Sequence, residues 1–99
     1  MFVRIWQYDV AEGREGDFKR IYAADGDWAT LFAVSDGYLG TELYRCIGTS
    51  GRYITVDRFS SAEAWDRLLD EQGPRYVEID RLAEATTSRE RELAAVDDL

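Results

Sequence analysis

The segment Tyr38–Phe59, YLGTELYRCIGTSGRYITVDRF, contains two strand-like runs separated by a short loop that begins and ends with glycine. The runs Tyr38–Ile47 and Arg52–Phe59 are rich in β-branched and aromatic residues. The loop Gly48–Gly51 has the length and composition of a hairpin connection. We therefore predict two antiparallel strands that pair with each other in the middle of the chain.

Both faces of the predicted strands carry apolar side chains. In the second run, Ile54 and Val56 alternate with Tyr53 and Phe59, so that each face receives large apolar groups. The N-terminal run Phe2–Val10, predicted to form a further strand, is also apolar on both sides near its start. A sheet with one side in water would show polar residues on that side. We therefore predict that both faces of the sheet are covered.

Apolar residues at helical spacing predict helices before and after the hairpin. The first helix lies between Glu15 and Ala24, and a second short helix covers Trp28–Phe32. After the hairpin, Ser60 and Glu63 fit a capping box for a helix from Ser61 to about Asp70. This pattern places one helical connection on each side of the central strands.

The C-terminal third predicts a broken helix and a last strand. Gly73-Pro74 interrupts the helix, and a further helix follows that carries Tyr76, Ile79 and Ala83. The segment Thr87–Leu99 fits either a fourth strand or the fraying end of a helix, and we favour a short strand.

The resulting order is β-α-β-β-α-β, a ferredoxin-like α+β fold with an antiparallel sheet and helices on one face. We predict one domain over residues 1–99, with a core at 2–93 and a C-terminal tail at 94–99. The second apolar face needs a partner. We expect a second copy of the chain, related by a two-fold axis, to supply it and to form a dimeric α/β barrel.

Composition narrows the classes of partner and reaction. The formal net charge of −8 repels phosphate backbones and anionic lipid, so we expect neither nucleic acid nor membrane as a partner. The single cysteine, Cys46, cannot form an internal disulfide, and no leader-like or spanning run is evident, so we expect a cytoplasmic protein.

Several kinds of catalytic and binding site are excluded because the sequence lacks the residues that they require. The sequence contains no histidine and no asparagine, which removes imidazole bases and imidazole metal ligands. No glycine-rich loop joins a strand to a helix as a phosphate-binding site requires. We interpret Cys46 as a small buried residue, and Asp80 and Glu84 as a solvated helix face. We therefore predict no metal site and no cofactor.

The aromatic content invites a binding site. Trp, Tyr and Phe number 3, 6 and 4, and many of them occur on elements that meet between helices and sheet. Such a cleft suits a flat aromatic ligand, although for any single residue simple core packing is the commoner role. The candidate substrate-binding residues are Trp6, Phe18, Tyr22, Trp28 and Phe32, and the candidate catalytic residues are Trp65, Tyr8 and Tyr76.

Four charged residues on the strands have a structural interpretation. Arg4 and Arg58, with Glu42 and Asp57, fit ion pairs across the sheet or along a dimer seam better than a catalytic group. Paired charges offset their own burial cost without needing a ligand.

Two stretches, DWATLFAVSDGYLGTELYR and YITVDRFSSAEAWDRLL, resemble the antibiotic biosynthesis monooxygenase family of dimeric α/β-barrel proteins. The resemblance extends from Phe2 to about Leu93 and includes SRERELAAV, which looks like the family's run into its last strand. It implies a cofactor-independent oxygenase of a hydrophobic aromatic, polyketide- or quinone-type molecule, in which Trp65, Tyr8 or Tyr76 donates a hydrogen bond to a developing oxyanion. Haem-degrading members use an iron-binding histidine that this sequence lacks.

Two alternatives remain open. The protein is either an oxygenase of this kind or a non-catalytic homodimer that binds a small apolar molecule. A third possibility is an atypical haem-binding protein.

Overall fold

The computed structural model describes residues Met1–Leu99 and contains four strands and three helices in a ferredoxin-like arrangement. In chain order the elements are β1 (Phe2–Val10), α1 (Glu15–Tyr22), α2 (Asp27–Phe32), β2 (Tyr38–Arg45), β3 (Arg52–Phe59), α3 (Ala62–Glu84) and β4 (Thr87–Asp97). The strands form one antiparallel sheet in the order β2-β3-β1-β4. The predicted fold class and the order of strands and helices along the chain are therefore confirmed.

The helix α3 begins one residue later than the capping prediction. The hydroxyl of Ser61, and not that of Ser60, accepts a hydrogen bond from the backbone N–H of Ala64 at 3.1 Å. The Ser60 N–H instead donates to the carbonyl of Gly37 at 2.7 Å, because Ser60 packs against the start of β2. The capping-box prediction at Ser60 is wrong, although a serine does cap the helix.

The predicted break in this helix is confirmed at Gln72, whose backbone angles of φ −117° and ψ 19° leave the helical region. Pro74 explains the break, since it has no N–H to donate to the preceding turn and its ring collides with the carbonyl there. No helix of the protein is long and apolar enough to cross a membrane.

The last strand is longer than predicted. β4 runs from Thr87 to Asp97 and pairs with the whole of β1, from Val10 back to Phe2. Residues 94–97, expected to form a tail, are therefore part of the sheet. Their neighbours in β4 are mostly charged, which an edge strand tolerates because one side of its backbone faces solvent.

The three helices pack against one face of the sheet, and a largely aromatic core lies between them. Phe18, Leu31 and Phe59 are fully buried there. On the opposite face, Ile54 and Val56 are only half-buried, and no element of the chain covers them. We call this surface, formed by Val3, Ile5, Ile54, Val56 and their neighbours, the open face.

Candidate functional site

A cavity lies between the helix-covered face of the sheet and the three helices. The cavity, which we call the slot, has a volume of about 550 Å³ when the part open to solvent is included. Seven of its thirteen lining residues are aromatic, so it suits a flat aromatic ligand. Its lining residues are Arg4, Trp6, Tyr8, Tyr22, Trp28, Phe32, Thr41, Thr55, Asp57, Trp65, Tyr76, Asp80 and Glu90.

Aromatic rings form most of the walls. Trp28 and Tyr76 have ring centroids 4.8 Å apart, and Trp65 lies 5.5 Å from Phe32 and 6.3 Å from Tyr76. These rings come from α2 and α3, and Trp6 and Tyr8 complete the walls from β1. Seven of the eight candidate site residues named from the sequence thus line a single cavity.

Phe18 is the exception, since it does not line the cavity. Its ring is fully buried behind the wall and lies 4.5 Å from Tyr22, 5.1 Å from Tyr53 and 5.5 Å from Tyr8. Phe18 therefore lies behind the cavity wall, because α1 directs this side chain into the core while Tyr22, one turn later, reaches the cavity.

Arg4 forms the positively charged part of the cavity wall. Its guanidinium lies 4.7 Å from the ring centre of Trp65 and 5.5 Å from that of Trp6. Its carboxylate partner is Glu92 on β4, with nitrogen to oxygen distances of 2.8 and 2.9 Å, and not Glu42 or Asp57 as the sequence suggested. Cation–π and ion-pair contacts thus hold Arg4 in place on the cavity wall.

The expected pairing of Arg58 with Glu42 is confirmed, and this ion pair lies on the open face. Asp57 therefore has no ion-pair partner. It lies on the helix-covered face of β3, directly opposite Arg4 in the strand register.

Asp57 is a half-buried carboxyl group that β3 places on the floor of the cavity. Burial raises its pKa to about 6, against a smaller lowering by a hydrogen bond from Thr41 and by the charge of Arg4. The hydroxyl of Thr41 donates to Asp57 Oδ1 at 2.6 Å and accepts from the Tyr38 hydroxyl at 2.6 Å. No other donor of the chain contacts the carboxylate. Asp57 was interpreted from the sequence as a structural ion-pair residue, and that interpretation is wrong.

Two further polar features complete the site. The Thr55 hydroxyl oxygen is buried in the cavity wall without a hydrogen bond of normal geometry, and the Tyr8 hydroxyl lies beside it. Burial also raises the pKa of Tyr8, Tyr22 and Tyr76 above the usual tyrosine value, so these groups stay protonated and act as hydroxyl donors. Nothing in the sequence pattern distinguishes Thr55 from an ordinary strand threonine.

The rim of the slot is acidic. Burial raises the pKa of the Glu90 carboxyl, and the nearby carboxylates of Asp80 and Glu84 raise it further. No three carboxylate or thiol groups come together in a metal-binding arrangement.

The fold and the aromatic slot together define a ferredoxin-like α+β domain with a cavity between sheet and helices. The family model of the antibiotic biosynthesis monooxygenases matches residues 1–73, so the chain belongs to that family. No curated protein sequence is similar enough to this chain to count as a match.

Solved structures share the fold at low sequence identity. SnoaB, a cofactor-independent oxygenase from Streptomyces nogalater, is 18% identical with a TM-score of 0.73 over 99% of this chain and 95% of that chain. A protein described as an antibiotic biosynthesis monooxygenase from Bordetella bronchiseptica is 21% identical with a TM-score of 0.74 over 99% and 96%. One from Nitrosomonas europaea is 10% identical with a TM-score of 0.74 over 100% and 99%.

Proposed function

We propose that this protein is a cofactor-independent monooxygenase that acts on a flat, hydrophobic, hydroxylated aromatic molecule. In such a reaction a ring CH₂ of the substrate becomes C=O, one atom of O₂ enters the product and the other leaves as water. The substrate supplies the electrons, so the protein must exclude water and stabilise the substrate anion.

The observation that carries the proposal is the slot whose aromatic walls come from helices and sheet and whose few polar groups face the same space. Trp6, Tyr22, Trp28 and Phe32 would contact the faces and edges of the ring system. A site of mostly aromatic lining with a few polar groups is the usual form of a small-molecule pocket.

Three donors are assigned to the substrate anion. Tyr8 and Tyr76 keep their protons at neutral pH because burial raises their pKa. Trp65 contributes an indole N–H, which cannot ionise in this range. Hydrogen bonds that strengthen as negative charge develops on the substrate would lower the barrier to electron transfer.

The test is O₂ uptake in the presence of a metal chelator, with a panel of anthrone-like and hydroquinone substrates. Trp65→Phe should lower the enzyme-dependent rate about tenfold or more, as expected for the loss of one oxyanion donor. Tyr53→Phe is the control, since Tyr53 is buried on the same face of the sheet but does not line the cavity. If no substrate gives uptake above buffer, the oxygenase proposal fails, and binding of the same compounds without turnover would favour the non-catalytic alternative.

We propose further that the working unit is a homodimer in which the open faces of two copies meet. Leu39 and Tyr44 on or beside this face are 57% and 51% exposed, and Ile54 and Val56 lie half-buried at its centre. A two-fold axis would cover the same apolar surface on both copies. Sedimentation equilibrium at micromolar concentration tests this, and a monomer would contradict it.

A further inference from the structure

The geometry points to Asp57 as the group that accepts the hydroxyl proton of an aromatic ligand, with the Thr55 hydroxyl bound to the same ligand oxygen. The role of Asp57 in catalysis rests on the proposed oxygenase function. The binding of a hydroxylated aromatic ligand by Asp57 and Thr55 rests on the cavity alone.

The first support is the position of the two side chains. Thr55 and Asp57 are two residues apart on β3, so both point to the helix-covered face, and both line the slot. A ligand oxygen near the floor of the slot would meet both side chains at once.

The second support is unused hydrogen-bonding capacity. Thr55 is 2% exposed, and its hydroxyl oxygen makes no hydrogen bond of normal geometry, although the Tyr8 hydroxyl lies beside it. A buried hydroxyl without a well-formed hydrogen bond is costly in a folded protein unless a ligand or water supplies one. Asp57 uses Oδ1 to accept from Thr41, and its second oxygen accepts no hydrogen bond from the chain. A phenolic O–H can donate to that second oxygen and accept from Thr55.

The third support is that Thr41 cannot be the proton source for this acceptor. Its hydroxyl proton already lies toward Asp57, and its oxygen accepts from Tyr38. This chain of two hydroxyls orients the carboxylate and stabilises its charged form. The ligand is then the remaining donor for Asp57.

The proton transfer is simple to write. The ligand O–H bond breaks, its electron pair remains on the ligand oxygen, and the proton forms an O–H bond with Asp57 Oδ2. The buried carboxyl has a pKa of about 6, which is closer to neutral pH than an ordinary aspartate and suits a general base. Burial and, to a smaller extent, the charge of Asp57 raise the pKa of Tyr8 and of Tyr76, and both side chains line the same cavity.

Other charged or titratable groups face the slot and must be separated from Asp57 in any pH experiment. The groups are Arg4 on β1, Tyr8 on β1, Tyr22 on α1, Tyr38 on β2, Tyr76 and Asp80 on α3, and Glu90 on β4. The α2 helix contributes only the uncharged Trp28 and Phe32. Asp80 and Glu90 are the other two carboxyl groups of this set, and burial raises the pKa of Glu90 as it does that of Asp57.

The experiment measures binding of 2-naphthol by equilibrium dialysis between about pH 5 and pH 7.5, where the naphthol hydroxyl stays protonated. The affinity of the unchanged protein should rise about fivefold to tenfold with pH, because a hydrogen bond to a charged acceptor is stronger than one to a neutral acid. Asp57→Asn should bind with the weak, low-pH affinity at every pH. Thr55→Val should bind about threefold to tenfold more weakly but keep the pH dependence.

The matched ligand control is 2-methoxynaphthalene, which has the same rings but no hydroxyl proton. Its affinity should not change with pH or with Asp57→Asn. Asp80→Asn and Glu90→Gln are the matched protein controls and should keep the rise in 2-naphthol affinity. The assignment is overturned if the rise survives in Asp57→Asn, if it disappears in either control variant, or if the methyl ether shows it too.

Oxygen uptake separates this assignment from the proposed function. If no substrate is oxidised but 2-naphthol binding depends on Asp57, the oxygenase proposal fails and the binding site stands. If a substrate is oxidised and Asp57→Asn leaves kcat and its pH profile unchanged, the catalytic assignment fails and the oxygenase proposal stands. Thermal unfolding of each variant verifies that it is folded.

Discussion

On the helix-covered face of the sheet, Thr55 and Asp57 occupy inward positions where apolar residues would pack better, whereas the open face presents Val3, Ile5 and Val56 to solvent. Each arrangement costs free energy in the isolated chain, for opposite reasons. A buried polar group without a partner is costly inside, and apolar area in water is costly outside. These opposite costs are what our two proposals would relieve: a ligand with a hydroxyl group on the inner side and a second subunit on the outer side.

The largest change in the free energy of unfolding should come from a substitution in the core behind the slot. This core belongs neither to the slot nor to the open face. Phe18→Ala should lower the free energy of unfolding by about 3–5 kcal/mol, because it opens a cavity among rings that surround a fully buried side chain. Urea unfolding measures the change. Trp28→Phe, which alters the slot wall while keeping an aromatic ring, should cost clearly less. Equal losses would remove the distinction between core and wall.

The charged carboxylate of Asp57 should lower the free energy of unfolding, because it lies on the helix-covered face of the sheet. Its folded pKa of about 6 lies above the ordinary value of 3.8, so the folded state holds its proton more tightly and stability falls as pH rises from about 4 to 6. Asp57→Asn should therefore raise the free energy of unfolding by about 1–3 kcal/mol at pH 7, and by much less near pH 4. Urea unfolding of both proteins at the two pH values checks this, and destabilisation at pH 7 would contradict it.

The open face predicts a smaller effect that depends on protein concentration. Val56→Thr keeps the size of the side chain and adds a hydroxyl, so it should weaken the proposed dimer about tenfold to thirtyfold when both copies carry it. Val77→Thr is the matched control, because Val77 on α3 is 58% exposed and lies away from the sheet. Sedimentation equilibrium measures both. Equal behaviour of the two variants would argue against the open face as the interface.

The smallest effect should come from the unpartnered hydroxyl. Thr55→Val replaces it by a methyl group of the same shape, so the free energy of unfolding should rise by about 1 kcal/mol or less. Thermal unfolding without ligand measures the rise. A loss of stability would show that the Thr55 hydroxyl has a partner in the protein. It would contradict the assignment of this hydroxyl to a ligand oxygen.

Much of the fold follows from local sequence patterns. The bounds of β1 and β3 match the prediction because both strands combine β-branched and aromatic runs with clear glycine or polar ends. The break in α3 was predictable because proline acts within its own turn of helix. Both signals are local and therefore visible in one sequence.

The parts that could not be predicted depend on contacts distant in sequence. Strand β4 carries many charged residues because it lies at the edge of the sheet. Its length could not be predicted, since only the pairing with β1 shows where it ends. Arg4 finds Glu92, 88 residues away, so its partner could not be assigned from neighbouring positions. The sequence around Asp57 does not differ from that around any strand aspartate. Its raised pKa depends on the helices that cover this face of the sheet. Phe18 and Tyr22 share one helical stripe, yet only Tyr22 reaches the slot.

The irregular register in β2 controls the chemistry of an acid on another strand. The pairing shifts between Tyr38 and Gly40, whose φ of 141° is one that glycine adopts readily, and this shift brings Thr41 opposite Asp57. With regular pairing from Tyr38 onward, Gly40 would stand opposite Asp57 and Thr41 would point to the outer side. Regular pairing at unchanged chain length would thus deprive the acid of its hydroxyl neighbour by turning Thr41 away from the pocket. Relatives that lack this irregularity are therefore expected to differ in acidity at the floor of the pocket, even where the same residue types occupy these positions.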